Sequence, residues 1–287
     1  MSPDLVRTRV AAAAHPDATV EVLGSLAADP SGRVRRIVAG RERTPVETLR
    51  ALAGDPDAGT REAVAANVRT PGEVLVALAG DRRYEVRYAA VGNPAAGDAV
   101  RETFCSSPYE DARLMLAQQP GLPSAVVARL ARDPARAVRE FVAEHTDDPD
   151  ALATLVEDGH PAVRAQAAQN RHTTEEQRRQ LARDPAATVR SALLHAMARL
   201  GWVIPEDDLL RLARDRSVNV RYWVAGLPGS TRAVYEILAE DPDDQIATNA
   251  RRWLVPGPER GGFPDPRRLG RPAPHIDAYL WNQFANR

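Results

Sequence analysis

The stretch Leu26-Ala27-Ala28-Asp29-Pro30-Ser31-Gly32-Arg33-Val34-Arg35-Arg36-Ile37-Val38-Ala39 contains two phrases that return along the whole chain. The later phrase is an apolar residue, then Arg, then a few residues ending in a Val-Ala or Ala-Ala pair. Its arginines fall at Arg7, Arg35, Arg61, Arg87, Arg113, Arg139, Arg164, Arg190 and Arg221. The gaps between them are 28, 26, 26, 26, 26, 25, 26 and 31. A further unit starts at Ile246, with Ala247 in the arginine position. So steady a period is the mark of a repeat architecture, in which each unit buries its apolar face against its neighbours.

The earlier phrase, Leu-Ala-x-Asp-Pro, stands complete at Leu26–Pro30, Leu52–Pro56, Leu130–Pro134, Leu181–Pro185 and Leu238–Pro242. Its Asp precedes the next Arg by six residues: Asp29 and Arg35, Asp55 and Arg61, Asp81 and Arg87, Asp133 and Arg139, Asp158 and Arg164, Asp184 and Arg190, Asp215 and Arg221. Ser107 takes the Asp position before Arg113. Opposite charges at a fixed offset in unit after unit form a structural ladder. Asp is expected to cap the short helix that follows, and Arg to bridge to an Asp of its own or the adjacent unit. Asn67, Asn93, Gln119 and Asn170 form a second polar column, placed to satisfy backbone groups where a helix ends.

Within each unit the spacing predicts two helices. The first is short, as over Val34–Gly40 and Val86–Gly92. The second opens on a capping box with Pro at the first helical position, Thr44-Pro45-Val46-Glu47 and Thr70-Pro71-Gly72-Glu73, or without Pro at Thr173 and Glu176. Val46, Leu49, Leu52 and Ala53 then recur at helical spacing up to the Asp-Pro step, where Pro disfavours helix. Ala39, Ala65, Ala117, Ala143, Ala168 and Ala225 keep one column small, so that successive units approach closely.

These phrases resemble the leucine-rich repeat variant family, with HEAT-repeat proteins as wider relatives. The resemblance covers roughly residues 6 to 250. It implies an all-α, right-handed α-solenoid of about ten two-helix repeats of ~26 residues, with a concave and a convex wall. Some relatives add a cysteine-rich iron–sulfur segment. This chain has one cysteine, Cys105, so that cofactor is not carried over and none is expected.

Composition agrees with a folded, soluble chain: 287 residues, 44% hydrophobic, 27% charged and only 5% aromatic. All 38 basic residues are arginine, set against 39 acidic ones, a net charge of −1. That balance disfavours a nucleic-acid partner without excluding a local patch. No apolar run is long enough for a signal peptide or a membrane span, so a bacterial, cytoplasmic location is expected.

No catalytic or metal constellation emerges. The histidines lack the i, i+4 pairing of zinc hydrolases, no phosphate loop or nucleophile elbow occurs, and lysine chemistry is excluded. The sequence therefore points to a non-catalytic scaffold that binds a protein or peptide through the concave face, with Tyr84, Tyr88, Tyr109, Trp202 and Tyr222 as contact candidates. The alternative is a HEAT-like DNA-binding protein or alkylpurine DNA glycosylase-like enzyme, for which Trp202, Trp223 and Asp207 or Asp208 would serve. The 31-residue gap, which carries Trp202, reads as a longer loop with a hydrophobic plug. The boundaries expected are a repeat domain over 1–253 and a Pro/Gly-rich basic arm over 254–287, ending in a short aromatic helix docked on the solenoid.

Overall fold

The computed structural model describes residues 3–255; of the arm expected over 254–287, Leu254 ends the last described helix and residues 256–287 lie outside the described residues. All regular structure in that range is helical. The first helices of the units are α1 (Pro3–Ala14), α3 (Gly32–Ala39), α5 (Ala58–Ala66), α7 (Tyr84–Val91), α9 (Glu110–Ala117), α11 (Arg136–His145), α13 (Pro161–Gln169), α15 (Ala187–Leu200), α17 (Val218–Gly226) and α19 (Asp244–Leu254). The second helices are α2 (Val20–Leu26), α4 (Val46–Leu52), α6 (Gly72–Ala79), α8 (Asp98–Cys105), α10 (Ser124–Leu130), α12 (Pro149–Leu155), α14 (Glu175–Ala182), α16 (Glu206–Leu212) and α18 (Arg232–Leu238). The fold is a helical-repeat solenoid.

Helices of two turns are unstable alone and need a packed face. Here they obtain it from their neighbours. The chain divides into two compact parts between Val138 and Arg139. In the N-terminal part α1, α3, α5, α7 and α9 pack successively. In the C-terminal part α13, α15, α17 and α19 do the same. The buried columns run through each part: Val34, Val38 and Ala39 on α3, Val64 and Ala65 on α5, Val86 and Ala90 on α7, then Val163, Ala167 and Ala168 on α13.

The arginines join neighbouring units. Arg35 donates through Nε and Nη2 to both oxygens of Asp55, at 2.6 and 2.8 Å, while its Nη1 donates to the Asp29 carbonyl at 2.8 Å. Each guanidinium therefore clamps the side chain of the next unit's Asp and the backbone of its own. Arg61 does this with Asp81 and Asp55, and Arg164 with Asp184 and Asp158. Arg190 uses Asp215 and Asp184, and Arg221 uses Asp241 and Asp215. Arg113 and Arg139 hold Asp133 and Asp158 in the same two-pronged way. The first member is Arg9, bound to Asp29, and not Arg7. That choice turns the anomalous first gap of 28 into the regular 26.

The carboxylates do not cap helices as N-caps. Asp29, Asp55 and Asp81 each accept the N–H two residues on, from Ser31, Asp57 and Arg83, in a turn just ahead of the helix. Burial by itself would raise these carboxyls. The guanidinium of the preceding unit and that turn N–H outweigh it and hold all three below the ordinary Asp value.

The capping boxes need correction. Pro45 and Pro71 are themselves the N-caps, with no side-chain cap. Thr44 and Thr70 are buried and donate back to the carbonyls of Val38 and Val64 at the end of the first helix. The real box is Thr174 with Gln177, one residue later than Thr173 and Glu176. The asparagine column bridges units. Asn67 Nδ2 donates to the Ala39 and Arg41 carbonyls, and Asn93 Nδ2 to those of Ala65 and Asn67.

Candidate binding surface

The ladder is interrupted once in the N-terminal part, at Ser107. A serine hydroxyl is too short to meet the preceding unit's guanidinium. It accepts only the Tyr109 N–H, at 3.3 Å, in the place of the usual turn carboxylate. Arg87 still binds the Asp81 carbonyl through Nη1 at 2.9 Å, but its Nη2 turns to Asp111. This replacement is imperfect: Arg87 Nε and Asp111 Oδ1 are buried without a hydrogen-bond partner. Arg87 itself is only 3% exposed.

Aromatic side chains gather over this interruption. The Arg87 guanidinium lies under the ring of Tyr109, 4.2 Å from its centroid. Tyr84 and Tyr88, one turn apart on α7, stack with centroids 6.1 Å apart and planes at 15°. The three tyrosines are 49%, 54% and 40% exposed, so their rings face solvent. No equivalent position elsewhere in this part is aromatic: Val6, Gly32, Ala58 and Glu110 match Tyr84, and Val10, Arg36, Glu62 and Leu114 match Tyr88. Arg36 reaches Asp57 of the next unit at 3.5 Å.

The C-terminal part treats its aromatics differently. Tyr222 occupies the position equivalent to Tyr88 yet is only 9% exposed, edge-on to Trp223 at 6.4 Å. It is not available as a contact, which corrects that expectation. Burial raises its hydroxyl above the ordinary tyrosine value. Trp223 is 6% exposed and lies 5.4 Å from His195, so it fills the core. Tyr235 is buried, donates to the Leu227 carbonyl and stacks on Trp253.

The long gap before Arg221 does not lengthen a loop. It extends α15 to fourteen residues, ended by Gly201 in the left-handed conformation at φ 68°. Trp202 then lies over Arg178, 4.7 Å from ring centroid to guanidinium. Arg178 stands in the column that Leu23, Leu49, Leu75 and Leu152 fill elsewhere. The insertion thus covers a cation placed where the repeat wants leucine. Asp208, 2% exposed, likewise replaces the apolar Val74 and Val234 of its column, and its Oδ1 accepts from Arg183 at 3.0 Å and Arg211 at 3.4 Å. Asp207 is exposed on the same helix. Trp223 and Asp208 are engaged in packing and ion pairs, and the DNA-enzyme alternative gains no site from them.

Among the described residues no group of three or more His, Cys, Asp or Glu side chains is placed to hold a metal ion. No described helix is long and apolar enough to cross a membrane.

Residues 32–57, which hold the Arg35–Asp55 rung, match the family profile described as leucine rich repeat variant. That segment is one leucine-rich repeat variant unit of the chain. A solved structure described as "a leucine-rich repeat variant with a novel repetitive protein structural motif" is similar at 24% identity, over 80% of each chain, with a TM-score of 0.45. No curated protein matches the chain. The exposed tyrosines belong to the units of Arg87 and Arg113, outside the matched segment.

Proposed function

We propose that this chain is a non-catalytic scaffold that binds a protein partner, and that its contact surface in the N-terminal part is the face formed by α5, α7 and α9. One observation carries the reading. Tyr84, Tyr88 and Tyr109 are exposed together on a face whose other units in this part carry no aromatic residue at the equivalent positions. Large aromatic rings left in water are otherwise unfavourable, and tyrosine is a frequent interface anchor because it offers wide contact area with few rotatable bonds. Helical repeats supply the extended, rigid support such a contact needs. A single cysteine suits a cytoplasmic setting, where no disulfide is required.

The test is site-specific photo-cross-linking in the native host. A photoreactive residue at position 88 is expected to capture a protein partner, while one at position 50, on the exposed side of α4, is not. Capture from position 50 alone, or retention of duplex DNA in place of a protein, would overturn the reading.

A further inference from the structure

The tyrosine face is set apart by charge as well as by its rings. Glu62 follows Arg61 just as Tyr88 follows Arg87, so it precedes Tyr88 in the same column. Glu110 stands three residues before Arg113 just as Tyr84 stands before Arg87, so it follows Tyr84 in the other column. Glu85 sits between the two tyrosines on α7. All three glutamates are exposed. Glu62 and Glu110 form no ion pair among the described residues. Glu85 pairs with Arg83 at 3.3 Å, and Asp111 pairs with Arg87. Two exposed carboxylates without an ion pair, Glu62 on α5 and Glu110 on α9, thus flank the helix that carries the stacked rings.

We infer that the face takes a basic segment of a partner protein, one that sets at least two arginine or lysine side chains against the Tyr84–Tyr88 stack and the glutamates at its ends. The inference rests on the scaffold reading above and adds the chemistry of the partner. A cation over a tyrosine ring is attracted by the ring's negative face, and the flanking carboxylates raise the local concentration of positive charge and orient it. Tyr109 has a different part. One side of its ring is already occupied by the Arg87 guanidinium, so only the rest of the ring is open to a partner. A phosphate-bearing or acidic partner meets unpaired glutamate at both ends of the stack.

The experiment measures binding of short fluorescent peptides to the full chain: a basic one carrying Arg and Lys, its acidic charge-reversed counterpart, and a neutral one. The basic peptide is expected to bind at least about tenfold more tightly than the neutral one. Its affinity should fall about tenfold when salt rises from about 0.05 M to about 0.5 M. Tyr84→Ser with Tyr88→Ser should abolish the preference. Glu62→Lys with Glu110→Lys should shift it to the acidic peptide, and the salt series gives the charge readout independently should that variant fail to fold. Equal binding of neutral and basic peptides, still sensitive to the tyrosines, overturns the charge assignment and leaves the scaffold reading standing. Peptide binding indifferent to the tyrosines, with no cross-link from position 88, removes both. A peptide of residues 256–287, which carries five Arg against three acidic residues, is added as competitor. Displacement of the basic peptide by it alone among unrelated basic sequences would make the chain's own segment the occupant and overturn a foreign partner.

Discussion

Two neighbouring rungs of the N-terminal part differ by a single residue type. At Arg61 the guanidinium meets Asp81 with both prongs at 2.6 and 3.1 Å, and the two side chains are about nine-tenths buried. At Arg87, one unit later, Ser107 replaces the Asp, and the guanidinium turns to a half-exposed Asp111 and to the ring of Tyr109. The first rung is fully satisfied and purely structural. The second leaves buried atoms without partners and sets its guanidinium against the Tyr109 ring. Fixed repeats carry packing. The unit that breaks the repeat is the one with surface chemistry to offer.

The largest effect separates the two rungs directly. Arg61→Ala strands the Asp81 carboxylate in a buried site, and should cost about 3 kcal/mol in urea unfolding. Arg87→Ala should cost clearly less, because Asp111 can reach water. Equal losses would show that the interruption is not weaker than an intact rung. Trp202→Ala uncovers the Arg178 guanidinium in the leucine column, and thermal melts should register a loss of about 2 kcal/mol.

Acid tests the intact rungs through their carboxylates. The Asp29, Asp55 and Asp81 carboxyls lie below their unfolded values, so their contribution is complete above about pH 4 and is lost as pH falls through the depressed folded values. Denaturant midpoints measured downward from pH 5 should fall, and fall less steeply in Arg61→Ala, which lacks the pairing that depresses Asp81.

Restoring the carboxylate sharpens the comparison from the other side. Ser107→Asp gives Arg87 its usual partner, frees Asp111, and should stabilise the chain by about 1 kcal/mol, seen as a melting point higher by a few degrees. No gain would mean that Asp111 already replaces the missing rung. The smallest effect is expected from Tyr88→Ser, within about 0.5 kcal/mol, since that ring packs mainly against solvent and Tyr84. A larger loss would assign the ring to the core.

Much of this was legible in the chain itself. The period, the helix pairs and the apolar columns follow from spacing, because units of this length cannot bury a face alone. The Arg–Asp offset marked both partners but left open which unit each arginine reaches. The side-chain bond runs forward to the next unit, twenty residues on at Arg35, Arg61, Arg113, Arg164 and Arg221, and the residue six back contributes only its backbone carbonyl. The threonines misled because Thr-Pro-x-Glu resembles a capping box, while the buried hydroxyl finds a better acceptor at the preceding helix end. Arg178 could have been found by reading the second-helix column in which Leu23, Leu49, Leu75 and Leu152 hold its position.

The sequence by itself determined that similar two-helix units stack, since a regular recurrence of apolar and small residues has no other way to leave water. Only the tertiary structure decided which aromatics are surface and which are core. Tyr88 and Tyr222 hold the same position in their repeats, yet one is 54% exposed and the other 9%. Exposure is set by what the neighbouring units place opposite a side chain, and no property of the residue or its position in the period carries that information.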